Sequence, residues 1–208
     1  MFKALMVALV VTFLSPVLAF AAPKLVVLGD SLSAGYGLGP GESFPEKLQS
    51  ALDADGVEAQ VVGAGVSGDT SSGGLARLDW SVPADADAVI VELGGNDALR
   101  GLPPAATRTN IETIVSRLKE RGTAVLVAGM LAPPNMGRDY QQEFDPLFAE
   151  IAETQGALFY PFFLDGVAGE PKLNLPDGIH PTAEGIDVIV ERILPSVKAL
   201  IERANAAS

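Results

Sequence analysis

Lys24-Leu-Val-Val-Leu28 is a short apolar, β-branched run, and Gly29-Asp30-Ser31-Leu32 follows it directly. The run reads as a strand buried on both faces, which is the pattern of a parallel sheet. Gly29 and Asp30 end it. A small polar residue just past the first buried strand lies where open α/β sheets place their ligands. Ser31 is therefore read either as a nucleophile at a strand-to-helix turn or, more plainly, as part of a helix cap. It is not the G-x-S-x-G elbow, because Ser33 stands where the second glycine belongs.

The same design recurs along the chain. Val57–Val62 reads as a second strand and leads into the glycine-rich segment Gly63–Gly74, which is expected to be a loop whose backbone approaches something closely. Leu75–Trp80 suggests a short helix. Asp87–Leu93 reads as a third strand and runs into Gly94-Gly-Asn-Asp97. Ala124–Met130 is the expected fourth strand and Leu158–Tyr160 a short fifth. Between them, Ser43 and Glu46 form a capping-box pattern. Ile111, Ile114, Val115 and Leu118 make one helix face, and Tyr140, Phe144, Leu147, Phe148 and Ile151 another. A last helix carries Ile186, Ile189, Ile193, Val197 and Leu200, and Pro195 is expected to kink or divide it. Five strands alternating with helices predict a parallel sheet covered on both faces. The polar breaks at Ser31, Gly68 and Asn96 would then converge on one crevice.

Composition narrows the chemistry. With 208 residues the chain suits one domain with a full core. It has no cysteine, which excludes disulfides, thiol catalysis and thiolate metal sites. Its one histidine, His180, is the only possible imidazole base and rules out a multi-histidine metal site. Residues 1–21 read as an export signal: Lys3, an apolar run from Ala4 to Leu18, and the small-x-small site Ala19-Phe-Ala21. The mature protein would begin near Ala22 as a single domain, 22–208, in the periplasm or outside the cell, with no membrane anchor. Loss of Lys3 takes the formal charge from −12 to about −13, which opposes nucleic acid and other polyanions as partners.

Acyl transfer from a serine needs a nucleophile, a base, a group that orients the base, and donors for the oxyanion. Ser31 and His180 fit the first two roles. Asp177, three residues before His180 with Gly178 between, lies within reach of one ring nitrogen in a tight turn. The donors would be a glycine N–H of the Gly63–Gly74 segment, the Asn96 amide and the Ser31 N–H. Asn96 donates without bringing a negative charge to the site. Taken singly, each piece also reads as a cap or an ordinary turn.

Gly29-Asp-Ser-Leu32 with Ser33-Ala-Gly-Tyr36, Val66-Ser-Gly-Asp-Thr70, Gly94-Gly-Asn-Asp97 and Asp177-Gly-Ile-His-Pro181 resemble, in order, the four blocks of the GDSL, or SGNH, hydrolases. The likeness extends to Gly73-Gly-Leu-Ala-Arg77 and the Tyr140 helix, and is strongest to the bacterial periplasmic thioesterase–protease–lysophospholipase group and its arylesterase relatives. It implies a flavodoxin-like three-layer α/β/α sandwich with a five-stranded parallel sheet. It implies Ser31, His180 and Asp177 as catalytic residues, and Ser31, Gly68 and Asn96 as oxyanion donors. The expected substrate is a small ester or thioester with an acyl chain, handled by a monomer without cofactor or metal. The loop Ala132–Gly137 is expected to lie over the acyl site. The net charge is expected to repel an anionic substrate; Arg77 and Arg100, close to two of the blocks, are the local exception and could attract one if they line the pocket mouth. Two other readings use the same segments: an O-acetyl esterase of polysaccharide or cell wall, and a non-enzymatic flavodoxin-like binding module. The lone tryptophan, Trp80, is a poor match to the aromatic platforms of a polysaccharide cleft, and the glycine-rich segment lacks a phosphate-binding lysine.

Overall fold

A computed structural model of the chain describes residues 22–206. The expected export signal, 1–21, lies outside the described residues. Strand β1 (Lys24–Gly29) pairs in parallel with β2 (Gln60–Gly65) on one side and β3 (Ala88–Glu92) on the other. β4 (Ala124–Ala128) and β5 (Leu158–Tyr160) extend the sheet beyond β3, giving the parallel order β2-β1-β3-β4-β5. The residues of β3 and β4 and the last five of β1 are all buried. Their Val, Leu, Ile and Ala side chains have no polar face because helices cover the sheet from both sides.

The first helices are α1 (Ser31–Ala34), α2 (Phe44–Ala54), α3 (Ser71–Ala76), α4 (Leu78–Ser81) and α5 (Gly95–Leu99). Then come α6 (Pro104–Glu120), α7 (Arg138–Phe144), α8 (Leu147–Gln155) and α9 (Ala183–Asn205). α2 and α9 pack against each other, and α6 packs against α3 and α8. α9, α6 and α8 all rest on β4, so the two groups form the outer layers of an α/β/α sandwich. α2 starts in the capping box expected of Ser43 and Glu46 and inserts Phe44, Leu48 and Leu52 into the core.

Register positions the site. Gly29 stands level with Gly65 of β2 and Glu92 of β3. The three strands therefore end together, and the turns that follow share one edge of the sheet.

Five expectations need correction. β2 spans Gln60–Gly65, three residues beyond the predicted strand. Gly63 and Gly65 belong to the sheet because its outer helices come so close. A Cβ on Gly65 would sit 2.7 Å from the Ala34 backbone nitrogen. The glycines that looked like a loop are what let α1 rest on β2. The rest of that segment is not all loop either: it contains α3, with Thr70 as its cap, and the short helix predicted over Leu75–Trp80 is split between α3 and α4. The helix predicted through Tyr140 and Ile151 is two helices, broken at Asp145-Pro146, because Pro146 has no N–H to donate to the preceding turn. Pro195, by contrast, lies inside α9 without dividing it. Ile193, Val197, Leu200 and Ile201 bury that helix firmly enough to outweigh one missing hydrogen bond.

Candidate active site

Asp30 caps α1, its carboxylate accepting the Leu32 N–H at 3.0 Å. The cap starts a helix of four residues and leaves Ser31 in its first position, 9% exposed. The cap belongs to Asp30, and it presents Ser31 at the start of the helix.

The Ser31 hydroxyl lies 2.9 Å from His180 Nε2, across 149 residues of chain. His180 Nδ1 lies 2.7 Å from Asp177 Oδ2. Asp177 Oδ1 also accepts the backbone N–H groups of Ile179, at 2.9 Å, and His180, at 3.0 Å. These two N–H donors and the His180 ring hold the Asp177 carboxyl well below the usual range, at about 2. A carboxylate with a lowered folded pKa stabilises the fold above its unfolded value, and loses that contribution only as pH falls through about 2. Asp177 thus keeps its charge through the range in which ordinary carboxylates titrate. The Tyr36 ring packs on the imidazole with centroids 4.4 Å apart.

Asn96 lies in α5, and its Nδ2 donates to Asp30 Oδ2 at 2.9 Å. This bond ties the amide to the residue before Ser31. It uses one N–H of the amide and leaves the second for another acceptor. Gly68, at φ +83, lies in the turn between β2 and α3, and its carbonyl accepts from Arg100 at 2.7 Å. Ser31, His180 and Asp177 therefore form a continuous bonded chain, while Asn96 and Gly68 are joined to its surroundings through Asp30 and Arg100.

Several side chains that sequence reasoning did not place hold this edge together. Arg77 is 5% exposed and serves as a strut. It donates to the carbonyls of Gly29 at 2.8 Å and Ala64 at 2.7 Å, and to Asp69 at 2.5 Å, so it ties the ends of β1 and β2 to the turn carrying Gly68. Removing one member of a buried ion pair of this kind costs about 3–5 kcal/mol. An exposed pair such as Arg117–Asp79 is screened by water and contributes little. With its donors engaged inside, Arg77 does not meet the condition of lining the pocket mouth and is not available to an anionic substrate; Arg100 is exposed and remains the local cation. Asp97, buried beside Asn96, accepts from the Ser71 N–H at 2.7 Å and from the hydroxyls of Ser71 and Thr107, which docks α5 on α3 and α6. The acidic residue closing Gly94-Gly-Asn-Asp97 was visible in sequence, but its partners come from distant segments.

A cavity of about 500 Å³ opens beside these groups. Leu32 and Gly95, neighbours of Ser31 and Asn96, line it, with Ile179 from the His180 turn. Leu99, Met130 and Ala132 supply apolar wall. Ala132, Pro133 and Pro134 belong to the loop expected over an acyl site, and Pro134–Met136 forms a single 3-10 turn there. Ser31, Gly68, Asn96, Asp177 and His180 do not themselves line this cavity, but the chain neighbours Leu32, Gly95, Gly178 and Ile179 do; a second depression of about 460 Å³, along α2 and β2, has no lining residue next in sequence to any of the five.

The GDSL-like lipase/acylhydrolase family matches the chain over residues 27–188. Esterase TesA of Pseudomonas aeruginosa is 38% identical over 87% of this chain and 90% of its own length. Thioesterase 1/protease 1/lysophospholipase L1 of Escherichia coli strain K12 is 34% identical over 88% of this chain and 87% of its own. The crystal structure of AlinE4, an SGNH-hydrolase family esterase, is 44% identical, covers 87% of this chain and 97% of that one, and superposes with a TM-score of 0.73. Both the sequence and the three-layer sheet agree with these proteins, and the chain belongs to the GDSL-like lipase/acylhydrolase family as a serine ester hydrolase of the SGNH type.

Proposed function

We propose that Ser31 is the nucleophile of an acyl-transfer hydrolysis, His180 its base and Asp177 the residue that orients and stabilises the imidazole. The observation that carries this reading is the bonded sequence Ser31 Oγ–His180 Nε2–Asp177, ending beside an apolar cavity. In the first half of the reaction the Ser31 oxygen attacks the acyl carbon, and its proton passes to His180 Nε2. Asp177, still ionised, stabilises the imidazolium. The carbonyl oxygen becomes an oxyanion and is met by the Ser31 and Gly68 N–H groups and the free Asn96 N–H. Collapse expels the alcohol or thiol, which takes the proton from His180. Water then repeats the sequence on the acyl-enzyme and restores Ser31.

The substrate class is a carboxylic ester or thioester with an acyl chain seated in the cavity of Leu32, Leu99, Met130 and Ala132. A neutral chromogenic aryl ester should be turned over readily, whereas release of acetate from acetylated polysaccharide at a higher kcat/KM would favour the O-acetyl esterase reading instead. Acyl-CoA supplies a sharper comparison. Its phosphates meet a chain of formal charge −12, so its kcat/KM should rise as salt is added from low ionic strength, while that of the neutral ester stays flat. An acyl-CoA rate that falls with salt would show that the field of Arg100 at the site outweighs the net charge.

The enzyme is further proposed to act as a monomer after export to the periplasm or beyond, with its export signal removed and no membrane anchor left. Among the described residues no helix is long and apolar enough to cross a membrane. Mass spectrometry of the exported protein should place the mature N-terminus at or near Ala22; a soluble periplasmic form still beginning at Met1 would contradict the reading.

A further inference from the structure

Glu92 ends β3, has no solvent exposure, and takes no part in the reaction described above. Its Oε2 accepts the Asp30 N–H at 3.2 Å, but its Oε1 is buried without a hydrogen-bond partner. An ionised oxygen sealed from water and without donors is among the least favourable groups a fold can hold. The arrangement is tolerable when the carboxyl carries a proton. Burial, reinforced by the Asp30 carboxylate beside it, pushes the Glu92 pKa well above the usual carboxylate range. The backbone makes room for it: a Cβ on Gly29 would collide with Glu92 Oε2 and Ser33 Oγ.

From Glu92 the bonds lead to the reacting groups. The Asp30 N–H rests on Glu92, Asp30 Oδ1 holds the Leu32 N–H, and Asp30 Oδ2 holds the Asn96 amide. Ser31 lies between Asp30 and Leu32 in the chain. We propose that Glu92 is a positioning residue: as a neutral carboxyl it fixes the Asp30 backbone, and through Asp30 it aims the Ser31 N–H and the Asn96 amide at the oxyanion. The inference rests on the oxyanion role proposed for Asn96.

Neutrality is part of the function, because a second carboxylate there would oppose a developing oxyanion. The charged groups around the pair are few. Asp69, from the turn after β2, and His180, from the turn before α9, act on Asp30, while Arg77 holds the Gly29 carbonyl one residue upstream. Burial raises Asp30 itself to about 6, so Asp30 is largely ionised at neutral pH, and the proton of the pair is assigned to Glu92, whose Oε1 is sealed without a partner and whose carboxyl burial pushes well above the usual range. A carboxyl with a raised folded pKa stabilises the fold fully below its unfolded value, and that contribution is lost as pH rises through the folded value. Wild-type Tm should therefore fall relative to Glu92→Gln as the buffer is taken from mildly acidic to alkaline.

The test compares Glu92→Gln and Glu92→Met by kinetics, thermal unfolding and infrared spectroscopy. Glu92→Met fills the space but cannot accept from Asp30. It should lower kcat about tenfold or more with KM little changed, since small misplacements of reacting groups have effects of up to about 10²-fold. Glu92→Gln, which still accepts and is neutral, should restore most of that loss. The wild type should show a protonated-carboxyl C=O band at neutral pH that Glu92→Gln lacks. In an Asn96→Ala background, Glu92→Met should cost less than it does in the wild type, because the part that acts through the Asn96 amide is already gone and only the part through the Ser31 N–H remains. A folded Glu92→Met with wild-type kcat beside a damaged Asn96→Ala would overturn the positioning role alone. Unchanged kcat in Asn96→Ala would overturn the oxyanion reading and this inference with it. Absence of the carboxyl band, or Glu92→Gln losing as much as Glu92→Met, would show that neutrality is not what the site uses. If Glu92→Met does not fold, the band and the Glu92→Gln kinetics still decide.

Discussion

Alanine at Ser31 or at His180 is expected to lower kcat by about 10⁶-fold, and the double substitution to lower it hardly further, because the residues of such a unit act on one proton transfer. Without the Ser31 oxygen there is no acyl-enzyme. Without His180 the chain has no other imidazole to take the proton. Asp177→Ala should be milder, about 10⁴-fold, since the base remains but its ring is no longer held from Nδ1. Steady-state kinetics on a neutral ester, with folding checked by circular dichroism, measures all four proteins. Near-wild-type kcat in His180→Ala at neutral pH would contradict the mechanism. So would losses that multiply in the double variant, which would mean that Ser31 and His180 work separately.

The second large effect is expected at Asn96. Asn96→Ala should lower kcat by roughly 10²–10³ while KM changes little, because the amide acts on charge present only in the transition state. Asn96→Asp should be worse than alanine. It would set a carboxylate against the oxyanion and also face Asp30, whose Oδ2 now accepts from the Asn96 amide at 2.9 Å. The same ranking is not expected of a purely structural residue, where the near-isosteric aspartate would be the gentler change. An aspartate equal to or better than alanine would remove Asn96 from the oxyanion site.

The parallel sheet was legible because β1, β3 and β4 are buried on both faces and therefore spell out continuous apolar runs. The edge strand β2 was not. It is only partly buried and uses glycines at Gly63 and Gly65 to let a helix approach, so its composition imitates a loop. Proline misled in both directions: Pro146 divides a helix that the apolar pattern had joined, and Pro195 is carried within a helix that the residue type seemed to interrupt. Local sequence states the tendency, and the amount of apolar surface buried on either side settles the outcome. At the site, the motifs named the residues that the structure brings together, Ser31, His180 and Asp177. The supports were harder to see. Arg77 was visible only as a cation close to one of the motifs, and Glu92 only as one residue of the strand Asp87–Leu93. What defines both is the burial and the bonds they acquire from other strands, which no local pattern encodes.

The turn from Asp177 to His180 has a dynamic consequence. In a triad assembled from three separate segments, the base and its orienter can drift apart by degrees, leaving molecules of intermediate activity. Here the Asp177 carboxylate is bonded to the backbone of Ile179 and His180 as well as to the imidazole, so the two side chains travel as one body. Were this segment to move away from Ser31, the imidazole and its counter-charge would leave together and return already aligned. Loosening it, for instance in the stretch around Leu175 whose N–H bonds the His180 carbonyl at 2.7 Å, changes how much of the time a molecule is competent rather than how well a competent molecule works. Single-molecule turnover of a variant loosened there is expected to switch between full-rate bursts and silence rather than run at a uniformly reduced rate.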